Sequence, residues 1–280
     1  LWLSRGNDAQ AHKEFDGHVH RLVNEVSRRF GDPVYGLNGA RGLYAASGQV
    51  PRAAFRAYVG SRDLTREFPG VRGFGFVQHV ARDALGAFTD TERADGAPQF
   101  SVRSLGDNTH DDLFVIKFIE PALRNRNAQG LDLGSEVARR QGAERAIGTG
   151  EATLTAPIPL VQDERRSPGF LLFVPVFRQA SAATTAAQRR AQLTGLLYAP
   201  IVAAELLQGT TEVTDGLANF DLVDAAGVTS PAAFIFASDA AARSGRFKAT
   251  RTLKLLGREF TLRARSTAQF DAKTASVAPE

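Results

Sequence analysis

The sequence predicts an α+β protein in which a long N-terminal stalk helix is followed by two units with antiparallel sheets. Near the start, apolar residues recur every three or four positions, as on one face of a helix. They are Phe15, Val19, Leu22, Val26 and Phe30. Further along, segments typical of strands and helices do not alternate strictly, which favours antiparallel sheets with helices packed beside them. Near the end, Phe260, Leu262 and Ala264 alternate with polar residues, which is the pattern of a half-buried strand.

The stalk helix is predicted over residues 8–46. The sequence Gly31-Asp32-Pro33 is expected to interrupt or kink it, because proline has no backbone N–H to donate. The helical pattern resumes at Leu37. A long amphipathic helix can pair with a second copy, so we expect a homodimer formed through this stalk.

The segment after the stalk predicts a mixed unit of helices and strands. Its most distinctive part is the turn Phe68-Pro69-Gly70 and the strand that follows, where phenylalanine alternates with glycine, indicating close approach of another backbone. The predicted elements are a helix opened by Pro51, a strand at 71–77, a helix at 82–95, a strand at 113–119, a helix at 135–148 with Ser135 as its N-cap, and strands at 151–161 and 169–177.

A polar segment rich in Ala, Ser and Thr at residues 179–187 is predicted to be a linker. The chain then divides into a stalk helix at 1–50, a first unit at 51–185 and a second, strand-rich unit at 186–280. The elements predicted in the second unit are a strand at 193–198, a short helix at 200–207, and strands around Phe220, around Phe234, at 249–255 and at 260–264.

Composition excludes several classes of protein. There is no cysteine, so disulfides, thiolate zinc sites and cysteine nucleophiles are excluded. The net charge of +4 is spread over the whole chain without any block of like charges, so we expect no nucleic-acid partner. No run of 18 or more apolar residues occurs, so a membrane span is not expected within this sequence.

Catalytic and metal-binding motifs are absent from the sequence. It contains no G-x-S-x-G elbow, no H-E-x-x-H pair and no P-loop. His18 and His20 are two positions apart, which places them on different sides of a helix, and we interpret both as exposed residues. Asp107, Asp111 and Asp112 are interpreted as solvated turn residues. We therefore expect no enzyme activity, no cofactor and no metal in this chain.

Five contiguous motifs resemble those of CHASE domains, in the order and with the approximate spacing of that family. The first is the strand entry Phe68–Val77, which resembles a (Y/F)PG-hydrophobic-x-G-hydrophobic pattern. The others are Ile116-Lys117-Phe118-Ile119-Glu120-Pro121, Gly130-Leu131-Asp132, the segment 149–157, and the segment 169–177. The likeness continues through 195–200 into the second predicted unit.

The resemblance implies both a fold and a function. CHASE domains lie outside the inner membrane between two transmembrane helices, and they feed histidine kinases or diguanylate cyclases inside the cell. By this resemblance the chain is the periplasmic sensor of a membrane receptor in signal transduction. Its flanking transmembrane helices would lie outside this sequence, and its two units would be PAS-like. The first, membrane-distal unit would hold a small-molecule ligand.

The resemblance also implies a ligand-binding pocket, carried over position by position. Its residues would be Phe76, Phe118, Arg139, Thr155, Val161 and Phe173. Plant relatives that bind cytokinin have an aspartate near the position of Arg139 and a threonine near that of Phe173, which argues against an adenine derivative here, because a cation cannot accept its N–H groups. Arg139 and Arg140 instead indicate an anionic group on the ligand.

Alternatives to this interpretation remain open at the level of sequence. The phenylalanines are equally compatible with an ordinary core, Thr155 with a hydrogen bond to the sheet backbone, and either arginine with an internal ion pair. The chain could accordingly be a dimerisation and spacer module of the same receptor that binds no ligand. An unrecognised periplasmic hydrolase is a third hypothesis, for which the sequence supplies no candidate residue.

Overall fold

The structure is a computed structural model, and it describes residues 2–161, 163–178, 184–227, 233–242 and 244–275. The helices are α1 (Trp2–Ser47), α2 (Arg52–Gly60), α3 (Leu64–Glu67), α4 (Leu85–Ala94), α5 (Val137–Thr149), α6 (Ala186–Gln192), α7 (Ala203–Leu207) and α8 (Ala268–Ala275). The first eight strands are β1 (Phe74–Ala81), β2 (Arg103–Ser104), β3 (Asp112–Glu120), β4 (Leu131–Asp132), β5 (Thr153–Leu154), β6 (Ile158–Pro159), β7 (Pro168–Phe177) and β8 (Leu193–Val202). The last four are β9 (Ala218–Asp224), β10 (Phe234–Ala237), β11 (Lys248–Leu255) and β12 (Arg258–Ser266). The predicted α+β class is confirmed.

The contacts within the chain define two compact units. The central unit is Gly31–Leu206, and the terminal unit consists of Leu1–Phe30 together with Leu207–Glu280. Helix α1 contributes residues to both units. The sheet of the central unit has the strand order β2-β4-β3-β1-β8-β7-β5, with β6 also paired to β7. All of its pairings are antiparallel except that of β2 with β4.

The central sheet is covered on both faces. On one face, Val77, Phe114 and Phe173 belong to a core that includes Ala143 and Ile147 of α5. Because successive strand residues point to opposite faces, the neighbouring positions on β1 and β3 point the other way. There they pack on α2 and on the end of α1 through the buried ring contacts Phe55–Phe118 and Tyr44–Phe76, and on α4 through Phe88. We call these the α5 face and the α2/α4 face.

The terminal unit has a four-stranded antiparallel sheet in the order β10-β9-β12-β11. The alternation predicted at residues 260–264 is observed, since Phe260, Leu262 and Ala264 are buried on one face. Aromatic residues from helix α1, strand β12, helix α8 and the segment before β11 make the core of this unit. The ring contacts are Phe30–Phe260, Phe15–Phe247, Phe15–Phe270 and Phe247–Phe270.

The predicted interruption of the long helix at Gly31-Asp32-Pro33 is wrong. Helix α1 continues through Pro33 to Ser47 as one element. A proline inside a helix costs about 3 kcal/mol through its missing hydrogen bond and its clash with the preceding turn. Phe30 and Leu37, one turn to either side, are both fully buried, and this burial offsets that cost.

Three local predictions also need correction. Glu136, not Ser135, is the N-cap of α5, because its carboxylate accepts the backbone N–H groups of Ala138 and Arg139. The predicted strand at 151–161 forms only the short strands β5 and β6, and its prolines at 157 and 159 cannot donate ladder hydrogen bonds. The helix predicted at 200–207 begins only at Ala203, since β8 extends through Pro200 to Val202 and pairs with β7.

The unit boundaries differ from those expected from sequence. Of the linker predicted at 179–187, residues 179–183 lie outside the described part, and helix α6 begins at Ala186 with a Thr185–Gln188 capping box. Strand β8 follows and pairs with β7 from Gly169 to Phe177, so it joins the sheet of the central unit. The segment rich in Ala, Ser and Thr therefore connects two strands of one sheet and is not a linker between units. Composition could not show this, because it carries no information about which strands pair.

Candidate functional site

A pocket of about 520 Å³ lies on the α2/α4 face of the central unit. Phe76 and Val80 of β1 line one side, Phe88 of α4 lines another, and Tyr44 of α1 also borders it. Strand β8 pairs with β1 only at Gly75–Val77, so the later part of β1 is not covered by a neighbouring strand on that edge. The volume is within the range of small-molecule sites, which is about 300–1,000 Å³.

A buried cluster of charges forms the polar end of this pocket. Glu92 of α4 is fully buried, and its Oε2 accepts a hydrogen bond of 2.7 Å from Nη2 of Arg52. Nζ of Lys117 lies 3.1 Å from Oε1 of Glu92, without the geometry of a hydrogen bond. Lys117 is the extra residue of a bulge in β3 opposite Phe76 and Val77, and the bulge directs its side chain to this face.

The Tyr44 hydroxyl is a buried polar group with no hydrogen-bond partner among the described residues. Its ring stacks on Phe76 with ring centres 4.4 Å apart. Burial raises the pKa of Tyr44, and the negative charge of Glu92 raises it further, so the hydroxyl stays protonated. Burial likewise raises the pKa of Glu92, although Lys117 and Arg52 oppose that effect. Buried polar groups usually have a hydrogen-bond partner, so a bound molecule can supply the one that the Tyr44 hydroxyl lacks.

On the α5 face, Arg140 is held in an ion-pair network that leaves it little freedom. Its Nη1 donates to Oδ1 of Asp112 at 2.9 Å, and its Nε donates to the carbonyl of Gly134 at 2.8 Å. Asp112 is also 2.7 Å from Nε2 of His79. Burial would raise the pKa of Asp112, but the hydrogen bonds and charges of His79 and Arg140 outweigh it, so the pKa falls below its usual value.

Arg139 is likewise engaged within the protein. Its Nη1 donates to Oε2 of Glu136 at 3.0 Å, and its Nη2 donates to the carbonyl of Pro159 at 2.9 Å. Burial would raise the pKa of Glu136, but backbone N–H groups and Arg139 lower it overall. The guanidinium groups of Arg139 and Arg140 thus each have a carboxylate partner within the protein. An internal ion pair was the alternative to ligand binding that the sequence left open for these arginines.

The seven residues predicted to bind a ligand do not meet in one place. Phe76 and Phe118 lie on the α2/α4 face, whereas Phe173 belongs to the core of the α5 face. Thr155 is buried, and its hydroxyl accepts a hydrogen bond of 3.0 Å from the backbone N–H of Leu171. Val161 is 39 % exposed. Among these seven only Phe76 lines the 520 Å³ pocket.

The pocket residues Tyr44, Glu92 and Lys117, and Arg52 behind them, were missed by sequence reasoning. Glu92 lies in a helix of mixed polar and apolar residues, where a charged residue is normally solvated, so its burial has no local signal. Asp112 was interpreted as a solvated turn residue, but its side chain is only 23 % exposed and ion-paired. His18 was interpreted as exposed, but it is buried against Phe270.

Loss of the Asp112 carboxylate is expected to destabilise the central unit mainly above the acid range. At neutral pH we expect Asp112→Asn to cost about 1–2 kcal/mol, since charge-assisted hydrogen bonds are lost. A carboxyl whose pKa is depressed by folding contributes stability above its unfolded pKa, and that contribution is lost as pH falls through the folded value. The difference from the wild type should therefore begin to shrink near the usual aspartate value of 3.8 and vanish only below the lower pKa of the folded state. Urea unfolding between about pH 7 and pH 2 measures it, with the exposed neighbour Asp111→Asn as control. A constant difference across that range would contradict the ion-pair network.

Neither a metal site nor a membrane span is found among the described residues. No group of three or more His, Asp or Glu side chains there is arranged to hold a metal ion. None of the helices described combines the length and the apolar composition that a membrane span needs.

The central unit is therefore an α+β module that carries a pocket of small-molecule size beside the C-terminal part of a long helix. The family model of the CHASE domain matches residues 48–236, which is more than half of the chain. The chain belongs to the CHASE domain family, which confirms the resemblance read from its motifs. CHASE domains are extracellular sensor modules of receptors and not catalytic domains. A comparison with curated proteins gives no match.

Proposed function

We propose that this chain is the ligand-sensing, periplasmic part of an inner-membrane receptor whose output is a histidine kinase or a diguanylate cyclase. The central unit corresponds to the membrane-distal PAS-like unit and binds a small molecule. The receptor is a homodimer through helix α1, with transmembrane segments outside this sequence. Ligand binding changes the equilibrium between two states of the dimer, which requires a different affinity for each state.

The observation that carries the ligand-binding proposal is the pocket on the α2/α4 face. It combines an aromatic floor, Phe76 and Tyr44, with a hydroxyl that has no partner and a buried carboxylate. The lining has both polar and apolar side chains, and in ligand sites polar groups fix the orientation of the ligand while apolar surface supplies affinity. A partly apolar molecule with a hydrogen-bonding group at one end suits this arrangement.

The α5 face supports a second candidate, a dimerisation and spacer module that binds no ligand. Phe173 and Tyr198 are fully buried there, with ring centres 6.4 Å apart, and they fill the space between sheet and helix with α5 residues such as Ala143. Arg139 and Arg140 are paired internally on the same side. A ligand site at the predicted α5-face residues would require these contacts to break.

A thermal-shift screen of small organic acids, amino acids, adenine derivatives and phosphorylated metabolites separates the two candidates. A ligand at a hundredfold its dissociation constant adds about 2.7 kcal/mol to stability. For a unit of this size that corresponds to a rise in Tm of roughly 5–11 °C. We expect such a hit to weaken at least tenfold in Tyr44→Phe, which removes only the unpartnered hydroxyl.

Tyr35→Phe is the matched control, because Tyr35 is 77 % exposed and does not line the pocket. A hit that survives Tyr44→Phe but disappears in Arg139→Ala would move the site to the α5 face. A flat response to the whole panel would contradict ligand sensing and favour the spacer module.

A further inference from the structure

The central unit has a second concave site, of about 360 Å³, whose charged lining is almost entirely cationic. The arginines that line it are Arg52, Arg56, Arg103 and Arg126, and among the described residues its lining contains one carboxylate, that of Glu120. These side chains come from α2, from β2 and from the turn after β3. The net charge of the whole chain, only +4, gives no indication of such a local concentration.

The buried member of this set is Arg52. It is 5 % exposed, and its guanidinium lies 6.0 Å from the ring centre of Phe100 and 5.5 Å from that of Phe118. Its Nε and Nη2 are hydrogen-bonded to the carbonyl of Asp95, to Glu92 and to the carbonyl of Lys117. These bonds fix the plane of the guanidinium, so the group is oriented before any ligand arrives.

Two of the outer arginines, Arg103 and Arg126, have no carboxylate partner among the described residues. Nη2 of Arg103 donates to the carbonyls of Asn127 and Gln129 at 3.0 and 2.9 Å. Nε of Arg126 has only a long contact of 3.4 Å with the carbonyl of Leu123. In the described part of the chain, neither Arg103 nor Arg126 lies within ion-pair distance of a carboxylate, whereas Arg56 is paired with Glu120 at 3.0 Å.

Like charges gathered in a concavity with apolar walls concentrate the electrostatic potential and attract counter-ions. The guanidinium group matches carboxylates and phosphates in a bidentate manner, and it is more weakly hydrated than an ammonium group. We propose that this pocket binds a small oxyanion, the carboxylate or phosphate group of a metabolite. The site is separate from the pocket of the proposed function and does not depend on it. In this proposal the anion is bound by the arginines of this pocket and not by Arg139 and Arg140, from which the sequence led us to expect it.

Isothermal titration of the whole chain with inorganic phosphate and, separately, with succinate tests the proposal. We expect at least one of them to bind, more weakly as sodium chloride is added, because the contacts are screened. Phosphate binding would identify a phosphorylated ligand, and succinate binding would identify a carboxylate. The double variant Arg103→Gln/Arg126→Gln should weaken binding at least tenfold.

The matched control is Arg41→Gln/Arg145→Gln, which removes the same charge from exposed positions of the central unit outside the pocket. Because Arg103 also donates to two backbone carbonyls, the double variant could lose binding by unfolding. The single variant Arg126→Gln avoids this problem and should weaken binding at least threefold. Equal losses in the pocket and control double variants, or no binding of either anion, would overturn the proposal. The Tyr44→Phe variant should bind the anion normally, so failure here is distinguishable from failure of the proposed function.

Discussion

Gly75→Ala is expected to destabilise the central unit more than either Arg52→Met or Asp112→Asn. A Cβ at this position would lie 2.6 Å from the carbonyl oxygen of Phe118 and would overlap the ring of Tyr198. The first neighbour is backbone of the paired strand β3, so the strands themselves must move apart. Overpacking of a core costs about 1–3 kcal/mol, and more where backbone must move. We expect about 3 kcal/mol or more, or a fall in Tm of roughly 6–12 °C.

Gly86→Ala is the matched control for that experiment. Gly86 lies in helix α4, and a Cβ there would meet nothing within 4 Å. Alanine is the better helix former, so its Tm should stay unchanged or rise slightly. Equal Tm values for Gly75→Ala and the wild type would show that β1 and β3 do not approach as closely as described.

Arg52→Met is expected to have the second largest effect, because it leaves Glu92 buried with Lys117 as its one cationic partner among the described residues. Breaking a buried ion pair by removing one member typically costs about 3–5 kcal/mol, most of it from the charge left behind. We expect a loss of about 3 kcal/mol, since Lys117 compensates in part. Methionine keeps the apolar bulk between Phe100 and Phe118, so the loss reports mainly on the charge.

The pH dependence of this loss separates charge from packing. Burial already raises the pKa of Glu92, and removing Arg52 raises it further. A carboxyl with a raised folded pKa contributes stability that declines as pH rises from the unfolded value toward the folded one. Urea unfolding should therefore show a deficit that grows as pH rises above the usual glutamate value of 4.5 and through the raised pKa of Glu92.

Two further variants complete that test. Adding Glu92→Gln to Arg52→Met should recover much of the loss, because no carboxylate is then left buried without its arginine. Lys117 loses its partner in this double variant, but its side chain is 19 % exposed. Arg66→Met is the control, since Arg66 is 83 % exposed in its pair with Asp63 and exposed pairs contribute only about 0.2–1 kcal/mol. A deficit of Arg52→Met that does not change with pH would show that packing, not the charge of Glu92, is responsible.

Much of the fold was predictable because its signals are local. The alternation of phenylalanine with glycine at residues 73–77 correctly indicated close approach of another backbone, and Gly75 is where that approach occurs. The helix at 82–95 and the strands around Phe220 and at 260–264 were likewise correct. Helix α8 was missed, since its eight residues are too few to show a clear period.

The candidate site was much less predictable. Motif matching placed Phe76 and Phe118 beside Phe173 in one pocket. Side chains alternate between the two faces along a strand, and β3 has a bulge at Lys117, so Phe76 and Phe118 lie on the face opposite to Phe173. Whether Arg139 and Arg140 are free to bind an anion depends on Glu136 and on Asp112, which is nearly thirty positions away in the chain. The cationic pocket gathers arginines from three separate segments, none of which is unusual by itself.

By itself, the sequence determined the α+β class, the long N-terminal helix and membership of the CHASE domain family. Those properties follow from the period of apolar residues and from contiguous motifs, which are physical properties of short segments. Only the tertiary structure decided that β8 joins the sheet of the central unit, that Glu92 is buried between Arg52 and Lys117, and that four arginines surround one concavity. Burial and pairing are decided by which distant segments come into contact, and the local sequence does not contain that information.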